Sequence, residues 1–204
     1  QITEGGISGV VFTEDVAVAT RLSQGCSPIG PKRVITECQR NIILSLDGKP
    51  ALEVLREDLG ERAGKDMNRI GGHIFVGLPI AGSDTGDYLV RNLLGIDPQS
   101  KLIAIGDLVR QDQQVMFCRR DVDSAVEDMN RMLASIKKGL FGKPRGGVYY
   151  SCLARGPNLF GTNSEELGLI RDALGEFPLV GFFCNGEISH NRLYGYTGVL
   201  TLFV

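Results

Sequence analysis

Short apolar segments rich in β-branched residues recur along the chain, and they constrain its fold more than any other feature. In the middle of the chain, four of them follow one another with short connections between them: HIFVGLPI, YLVRNLLGI, KLIAIGDL and QQVMFCRR. Parallel strands need a crossover of a dozen or more residues, whereas antiparallel strands need only a short turn. These segments are therefore predicted to pair antiparallel.

Similar segments lie towards both ends of the chain. GISGVVF and VAVATRLSQG, on either side of a turn at Thr13–Asp15, predict a β-hairpin, and RVITEC and NIILSL predict two further strands. Near the C-terminus the predicted strands are GGVYYSCLA, PLVGFFCNGEIS and a closing segment from Gly195 to Val204.

Three segments show helical spacing instead. The first runs from Pro50 to about Gly60, the second is capped by Asp121 or Asp123 and ends at Gly139, and the third is SEELGLIRDAL. In the second segment apolar residues recur every three or four positions, which gives the helix one apolar face. The predicted fold class is α+β: mostly antiparallel β-sheets covered by helices on their outer faces, as in a layered α/β sandwich.

Charge and hydropathy argue against two classes of partner. The chain has 22 basic and 24 acidic residues and a formal net charge of −2, whereas phosphate-backbone binding usually needs a basic excess. No apolar run reaches the roughly 18 residues that a membrane span requires. The first residues are too polar for a signal peptide. Because the chain does not begin with Met, we expect that an upstream segment precedes it.

The five cysteines are odd in number, widely spaced and without a CxxC pair. A disulfide framework would pair them, and a zinc site would cluster them with histidine or further cysteine. The pattern therefore predicts a reduced, cytoplasmic protein that needs no metal or other cofactor.

Three glycine-bearing loops at strand ends concentrate the polar groups that could form a binding site. They are SCLARGPNLFG at 151–161, FFCNGEISHNR at 182–192 and LYGYTG at 193–198. Glycine allows a backbone to bend or to approach another group closely, and loops on a rigid sheet commonly carry binding residues.

These motifs resemble a known family. YYSCLARGPNLFG, FPLVGFFCNGEIS and LYGYTGVLTLF are similar to the C-terminal module of FIST proteins (F-box and intracellular signal transduction proteins). LSQGCSPIGPKRVITECQRNIILSLDGKPALEVL looks like the end of the N-terminal FIST module running into the C-terminal one. The resemblance places the first module at 1–47 and the second at 48–204. It implies an intracellular sensory domain in signal transduction that binds a small ligand, with amino acids as a proposed class, and that signals to a protein partner.

Two charged residues in different loops suggest how an amino acid would be held. The planar guanidinium of Arg155 can bind a carboxylate through two parallel hydrogen bonds, and Glu187 can accept from an ammonium group. The alternative is that Arg155 and Glu187 form an ion pair with each other that ties the two loops together.

Further polar and aromatic residues of these loops complete the predicted site. Asn185 and Gly186 form a pair that also marks a turn, and Tyr196 in a last strand could equally be part of the core. The whole predicted ligand-binding set is Cys152, Arg155, Asn158, Phe160, Asn185, Gly186, Glu187, Tyr196 and Thr197.

Enzyme chemistry is disfavoured, and we predict that the chain is not an enzyme. A nucleophilic Cys152 or Cys184 would need a nearby base, and His190 is close to Cys184 only in sequence. Glu165 and Glu166 are interpreted as first-turn charges that complement a helix dipole.

Two other functions stay open at this point. A haem-based gas sensor would use His73 or His190 as the axial ligand, although the family's histidine is replaced here by Tyr194. A protein–protein interaction module would dock a partner through the same loops without any ligand.

Overall fold

The computed structural model describes residue 5 and residues 9–63, 72–80, 88–163 and 165–204. Within these ranges the strands and helices are, in chain order, β1 (Val18–Gln24), β2 (Cys26–Pro28), β3 (Arg33–Gln39), β4 (Ile42–Leu46), β5 (Lys49–Pro50), α1 (Ala51–Ala63), β6 (Ile74–Pro79), β7 (Tyr88–Asp97), β8 (Leu102–Ile105), β9 (Gln114–Arg120), α2 (Val122–Lys138), β10 (Gly146–Cys152), α3 (Glu165–Leu174), β11 (Leu179–Cys184), β12 (Glu187–Ser189), β13 (Arg192–Tyr194) and β14 (Thr197–Phe203).

The larger sheet is antiparallel and closes on itself. Its strands follow the order β2-β9-β3-β4-β8-β7-β6, and β6 pairs again with β9, so that six strands form a ring. The short connections between these strands lead to antiparallel pairing, as the sequence predicts. The closed ring differs from the flat layer expected from the sequence. Leu52 and Leu55 of α1 pack with Ile43, Ile103 and Phe117 in its apolar core.

The smaller sheet has the order β1-β14-β10-β11. β14 runs antiparallel to β1 and to β10, but β10 and β11 are parallel. This parallel pair is the exception in sheets predicted to be mostly antiparallel, and it forms because α3 lies between the two strands in sequence and provides the crossover that a parallel connection needs. β12 and β13 form a separate two-stranded hairpin.

The best-marked helix of the sequence forms as predicted. Asp121 caps α2 by accepting a hydrogen bond from the Ser124 amide at 2.8 Å, and Gly139 follows its last residue. Met129 and Leu133 of α2 pack with Ile170 of α3 and with Tyr149 and Leu200 of the smaller sheet. Both helices therefore cover the same face of that sheet. None of the helices in the described part of the chain is long and apolar enough to cross a membrane.

The predicted N-terminal hairpin is wrong in its first strand. Residues 9–12 form no strand, and residues 6–8 lie outside the described residues. β1 pairs instead with β14, from Val18 opposite Phe203 to Gln24 opposite Thr197. The turn itself is present, since the Val16 amide donates to the Thr13 carbonyl at 3.1 Å. The α+β class and the predominance of antiparallel strands are confirmed.

Candidate ligand-binding site

A hollow of about 990 Å³ opens between α3, the edge strand β11 and the loop that follows β10. Aromatic rings line much of it, namely those of Tyr149, Phe160, Phe177, Phe182 and Phe183. Its size lies at the upper end of the range typical of small-molecule sites. Two of the three loops selected from the sequence, 151–161 and 182–192, contribute residues to it.

A buried carboxylate fixes the inner wall of this hollow. Glu166 is 4% exposed, and its two carboxylate oxygens accept from four groups: the Tyr149 hydroxyl at 2.7 Å, the Arg155 Nε at 2.8 Å, the Ser151 hydroxyl at 3.1 Å and the Gly156 amide at 3.0 Å. A carboxylate satisfied in this way has little capacity left for a ligand. Glu166 is therefore an internal anchor between α3 and the loop after β10. Glu165 and Glu166 both lie in the first turn of α3, as predicted, but Glu166 is buried whereas Glu165 beside it is exposed.

Arg155 is the largest fully buried side chain in the described part of the chain, with 0% of its surface exposed. Its ion pair is with Glu166. The predicted alternative, an ion pair between Arg155 and Glu187, does not form. The other two guanidinium nitrogens donate to Ser23 over longer distances, 3.5 Å to its carbonyl and 3.4 Å to its hydroxyl. Burial alone would lower the pKa of Arg155, but the oxygens of Tyr149 and Glu166 outweigh it and raise that pKa. The Phe160 ring lies 5.0 Å from the guanidinium carbon.

Glu187 is also buried, with 1% exposure, and it is fully occupied by its own neighbours. It accepts from the Thr197 hydroxyl at 2.7 Å, from the Thr197 amide at 3.3 Å and from the Cys184 thiol at 3.3 Å. These bonds attach the start of β12 to β14 and to the end of β11. Neither Glu187 nor Arg155 lines the large hollow.

Cys152 and Cys184 lie side by side, because they are register partners at the ends of β10 and β11. Burial raises the pKa of Cys184 to about 12, and the negative Glu187 carboxylate, which accepts a hydrogen bond from the thiol, adds to this shift. Burial likewise raises the pKa of Cys152. A nucleophilic cysteine needs the opposite shift.

The alkylation rate of Cys184 tests this environment. Because its thiolate is scarce at pH 8, we expect iodoacetamide to modify Cys184 in the folded chain roughly a thousandfold more slowly than in the chain unfolded in urea. The rate should rise about tenfold per pH unit as the pH approaches the raised pKa. Peptide mass spectrometry measures both rates, and rapid modification of the folded chain at pH 8 would contradict the assigned environment.

The other predicted site residues divide by exposure. Phe160 lines the hollow, whereas Asn158 is exposed and donates to the Leu153 carbonyl at 3.1 Å.

The predicted residues of the later loops lie away from the hollow. Asn185 is exposed beside Gly186, which has a φ of 149°. Tyr196 donates its hydroxyl to the Asn92 side chain and packs on Phe75 with ring centroids 4.5 Å apart. Of the nine predicted residues, the structure places only Phe160 on the surface of the hollow.

Comparison with known proteins decides the family. The model of the FIST C domain matches residues 51–190, and that of the FIST N domain matches residues 1–49. The chain belongs to the FIST family. It carries the FIST C domain preceded by the end of the FIST N domain. FIST domains are sensory domains of signal transduction.

Relatives of this FIST chain are found in mycobacteria. The uncharacterized protein Rv0628c of Mycobacterium tuberculosis is 36% identical over 211 residues, a match that covers 100% of this chain and 55% of the relative. The uncharacterized protein Mb0898c of Mycobacterium bovis is 33% identical over 192 residues, which covers 90% of this chain and 50% of the relative. The chain thus spans about half the length of these relatives. No solved structure matches it.

Several residues that shape the site of this FIST chain were not among the residues predicted from the sequence. Glu166 stands one helical turn before Ile170, a buried residue of α3, and an acidic residue on the buried stripe of a helix is the signal that could have identified it. Tyr149 and Ser151 alternate with half-buried residues of β10 and therefore share one face of the strand. No local signal identifies Ser23, which lies 132 residues from Arg155 in sequence.

The histidines do not gather around the hollow of this FIST chain. His73 and His190 are both exposed, and neither lines it. Among the residues that the structure describes, no group of three or more histidine, cysteine or acidic side chains is placed to hold a metal ion.

Proposed function

We propose that this chain is the ligand-binding part of a FIST sensory protein and that the ligand binds in the hollow between α3 and β11. The observation that carries the proposal is a cavity of about 990 Å³ between α3, strand β11 and the glycine-bearing loop after β10, lined by aromatic side chains. A concave site with apolar walls and a few polar groups is the usual form of a small-molecule site. We also propose a cytoplasmic location, which the five free cysteines support.

Charged groups at the hollow suggest the class of ligand. Lys143 and Arg171 contribute positive charge to its lining, and Glu165 and Glu176 contribute negative charge. Phenyl rings provide an apolar surface beside them. An amino acid with an aromatic or large aliphatic side chain, or a related metabolite, matches this combination because it pairs an apolar body with two opposite charges. The surface charges would replace Arg155 and Glu187 as the groups that hold its two ends.

Two contacts would connect ligand binding to a conformational change that could carry a signal. Phe183 lies on Gly156, where any Cβ would overlap the ring, so the loop after β10 and the edge strand are in direct contact. Glu166 connects the same loop to α3. A ligand between α3 and β11 would therefore shift the balance between arrangements of three connected elements.

A thermal-shift series with single amino acids tests the proposal. We expect L-phenylalanine and L-leucine at millimolar concentration to raise the melting temperature, because a ligand that binds only the folded state stabilises it by mass action, by about 2.7 kcal/mol at one hundred times its Kd. Glycine and L-serine are the matched ligands without an apolar body, and they should give a much smaller shift.

Two variants locate the binding site in the same experiment. Phe183 is 51% exposed and lines the hollow, so Phe183→Ala should weaken binding at least about tenfold without unfolding the chain. Phe141, which is fully exposed and does not line the hollow, provides the control Phe141→Ala. Equal affinity of the two variants, or no melting shift with any amino acid, would refute the proposed site.

A docking function is the second candidate, because the loops carry exposed apolar side chains. Leu153, Ile188 and Leu193 are 61%, 70% and 59% exposed around the β12–β13 hairpin. Such a cluster is typical of a protein-binding surface. A chain that binds no amino acid, yet loses its signalling partner on Ile188→Asp, would have this function instead.

A further inference from the structure

The smaller sheet has a second face that the helices do not cover. Tyr149, Leu200 and Leu202 point towards α2, and side chains of a strand alternate between faces, so their neighbours point the opposite way. The register of the four strands aligns these neighbours in cross-strand rows. We call them the open face, and they are Val18, Thr20, Leu22, Val148, Tyr150, Val180, Phe182, Val199, Thr201 and Phe203.

The open face is apolar and uncharged. Eight of its ten side chains are aliphatic or aromatic, and the other two, Thr20 and Thr201, hydrogen-bond each other at 3.0 Å. Tyr150 and Phe182 pack edge to face with ring centroids 5.2 Å apart. Three of the ten remain substantially exposed: Val18 by 47%, Val180 by 68% and Phe182 by 64%.

The size and type of this surface indicate that it belongs in an interface. Four strands about 4.8 Å apart, each about five residues long at 3.3 Å rise per residue, span a footprint of about 320 Å². Apolar patches of that size are often functional. Val199, on the inner strand β14, is 3% exposed, so the exposed part of the face lies at the two edge strands β1 and β11.

The chain itself indicates what covers the face. Just before β1, the Phe12 ring packs edge to face on Phe203 with centroids 5.3 Å apart, so the segment at 9–12 approaches along the open face. The two residues before it, Val10 and Val11, are 75% and 97% exposed. This apolar segment lies within the end of the FIST N domain, at 1–49. The mycobacterial relatives contain about as much sequence again outside the matched region.

We propose that the open face is an interdomain surface on which the remaining part of the FIST N domain packs as a second apolar layer in the longer family members. The segment at 9–12 would be the connection between the two layers. Two sheets, or a sheet and a helix, packed at the usual distance of about 10 Å would bury all ten side chains. The open face lies on the opposite side of the sheet from α3, and it shares with the lining of the hollow only Val180 and Phe182 of the edge strand β11.

Cysteine accessibility in two proteins tests the proposal. Val18 is on the open face and does not line the hollow, so Val18→Cys in this chain should react readily with a fluorescent maleimide. A cysteine at the aligned position of full-length Rv0628c should react at least about one hundredfold more slowly, because labelling would then require local opening. Phe141→Cys and its aligned counterpart form the control pair, which should react quickly in both proteins.

The alternatives give different results. Equal labelling of the Val18 position in both proteins would refute the proposal, since the face would then be free in the longer protein. Slow labelling of Val18→Cys in this chain, together with a dimer in sedimentation velocity, would assign the face to a second copy and would also refute it. Slow labelling in the relative alone, with a monomeric chain here, is the supporting result.

Discussion

Replacing Glu166 with glutamine should destabilise the folded chain by about 3–5 kcal/mol, the usual cost of removing one partner from a buried ion pair. The substitution keeps the size of the side chain but leaves the guanidinium of Arg155, which is 0% exposed, without its only ion-pair partner among the described residues. Urea denaturation measures the effect as a lower transition midpoint at an unchanged slope.

Two further variants separate charge from packing at this pair. Glu165→Gln changes the neighbouring exposed residue of α3 and should shift the midpoint very little. The double variant Arg155→Met, Glu166→Gln removes both charges but keeps an oxygen that can accept from Tyr149, Ser151 and Gly156, and it should recover part of the loss because no buried charge is left unpaired. A loss below about 1 kcal/mol for Glu166→Gln would show that solvent reaches the pair.

Gly181→Ala should have the second large effect, a loss of about 3 kcal/mol or more. A Cβ on Gly181 would overlap the carbonyl oxygen of Tyr149, its register partner on β10. Because the obstacle is backbone of the neighbouring strand, no side-chain rotation can relieve it. Circular dichroism with urea denaturation measures the loss, and hydrogen exchange should show β11 separating from β10.

Gly168→Ala is the matched control for this substitution. Gly168 lies inside α3, and nothing stands within 4 Å of the Cβ that alanine would add. Alanine there should stabilise the chain by about 1 kcal/mol, since glycine is the weaker helix former. If both variants proved equally stable, the close approach of β10 and β11 at Gly181 would be contradicted.

Local patterns in the sequence were sufficient for most elements. α2 was predictable because its cap, its apolar stripe and its terminal glycine all agree. The strands of the ring were predictable because each is a short apolar run between turns. The first strand of the N-terminal hairpin was not, because the segment at 9–12 has strand-like composition but β1 finds a better partner in β14.

The sequence pointed to one of the segments around the hollow but not to its contacts. The glycine-bearing loop at 151–161 lines the hollow, whereas 182–192 reaches it only through Phe182 and Phe183 of strand β11. The partner of Arg155 was not predictable, because Glu166 and Glu187 are equally acidic and only the crossover through α3 brings one of them to the guanidinium. Pairings between distant segments depend on tertiary packing, which a single sequence does not display.

Strand β14 lies inside its sheet, between β1 and β10. The sheet therefore joins two segments that are far apart in sequence, β1 at Val18–Gln24 and β14 at Thr197–Phe203. During synthesis on the ribosome, β1, β10 and β11 are all made before the strand that joins β1 to β10 has emerged. Assembly of this sheet therefore has to wait until β14 has emerged, and until then the nascent strands on either side of the gap need protection from other partners.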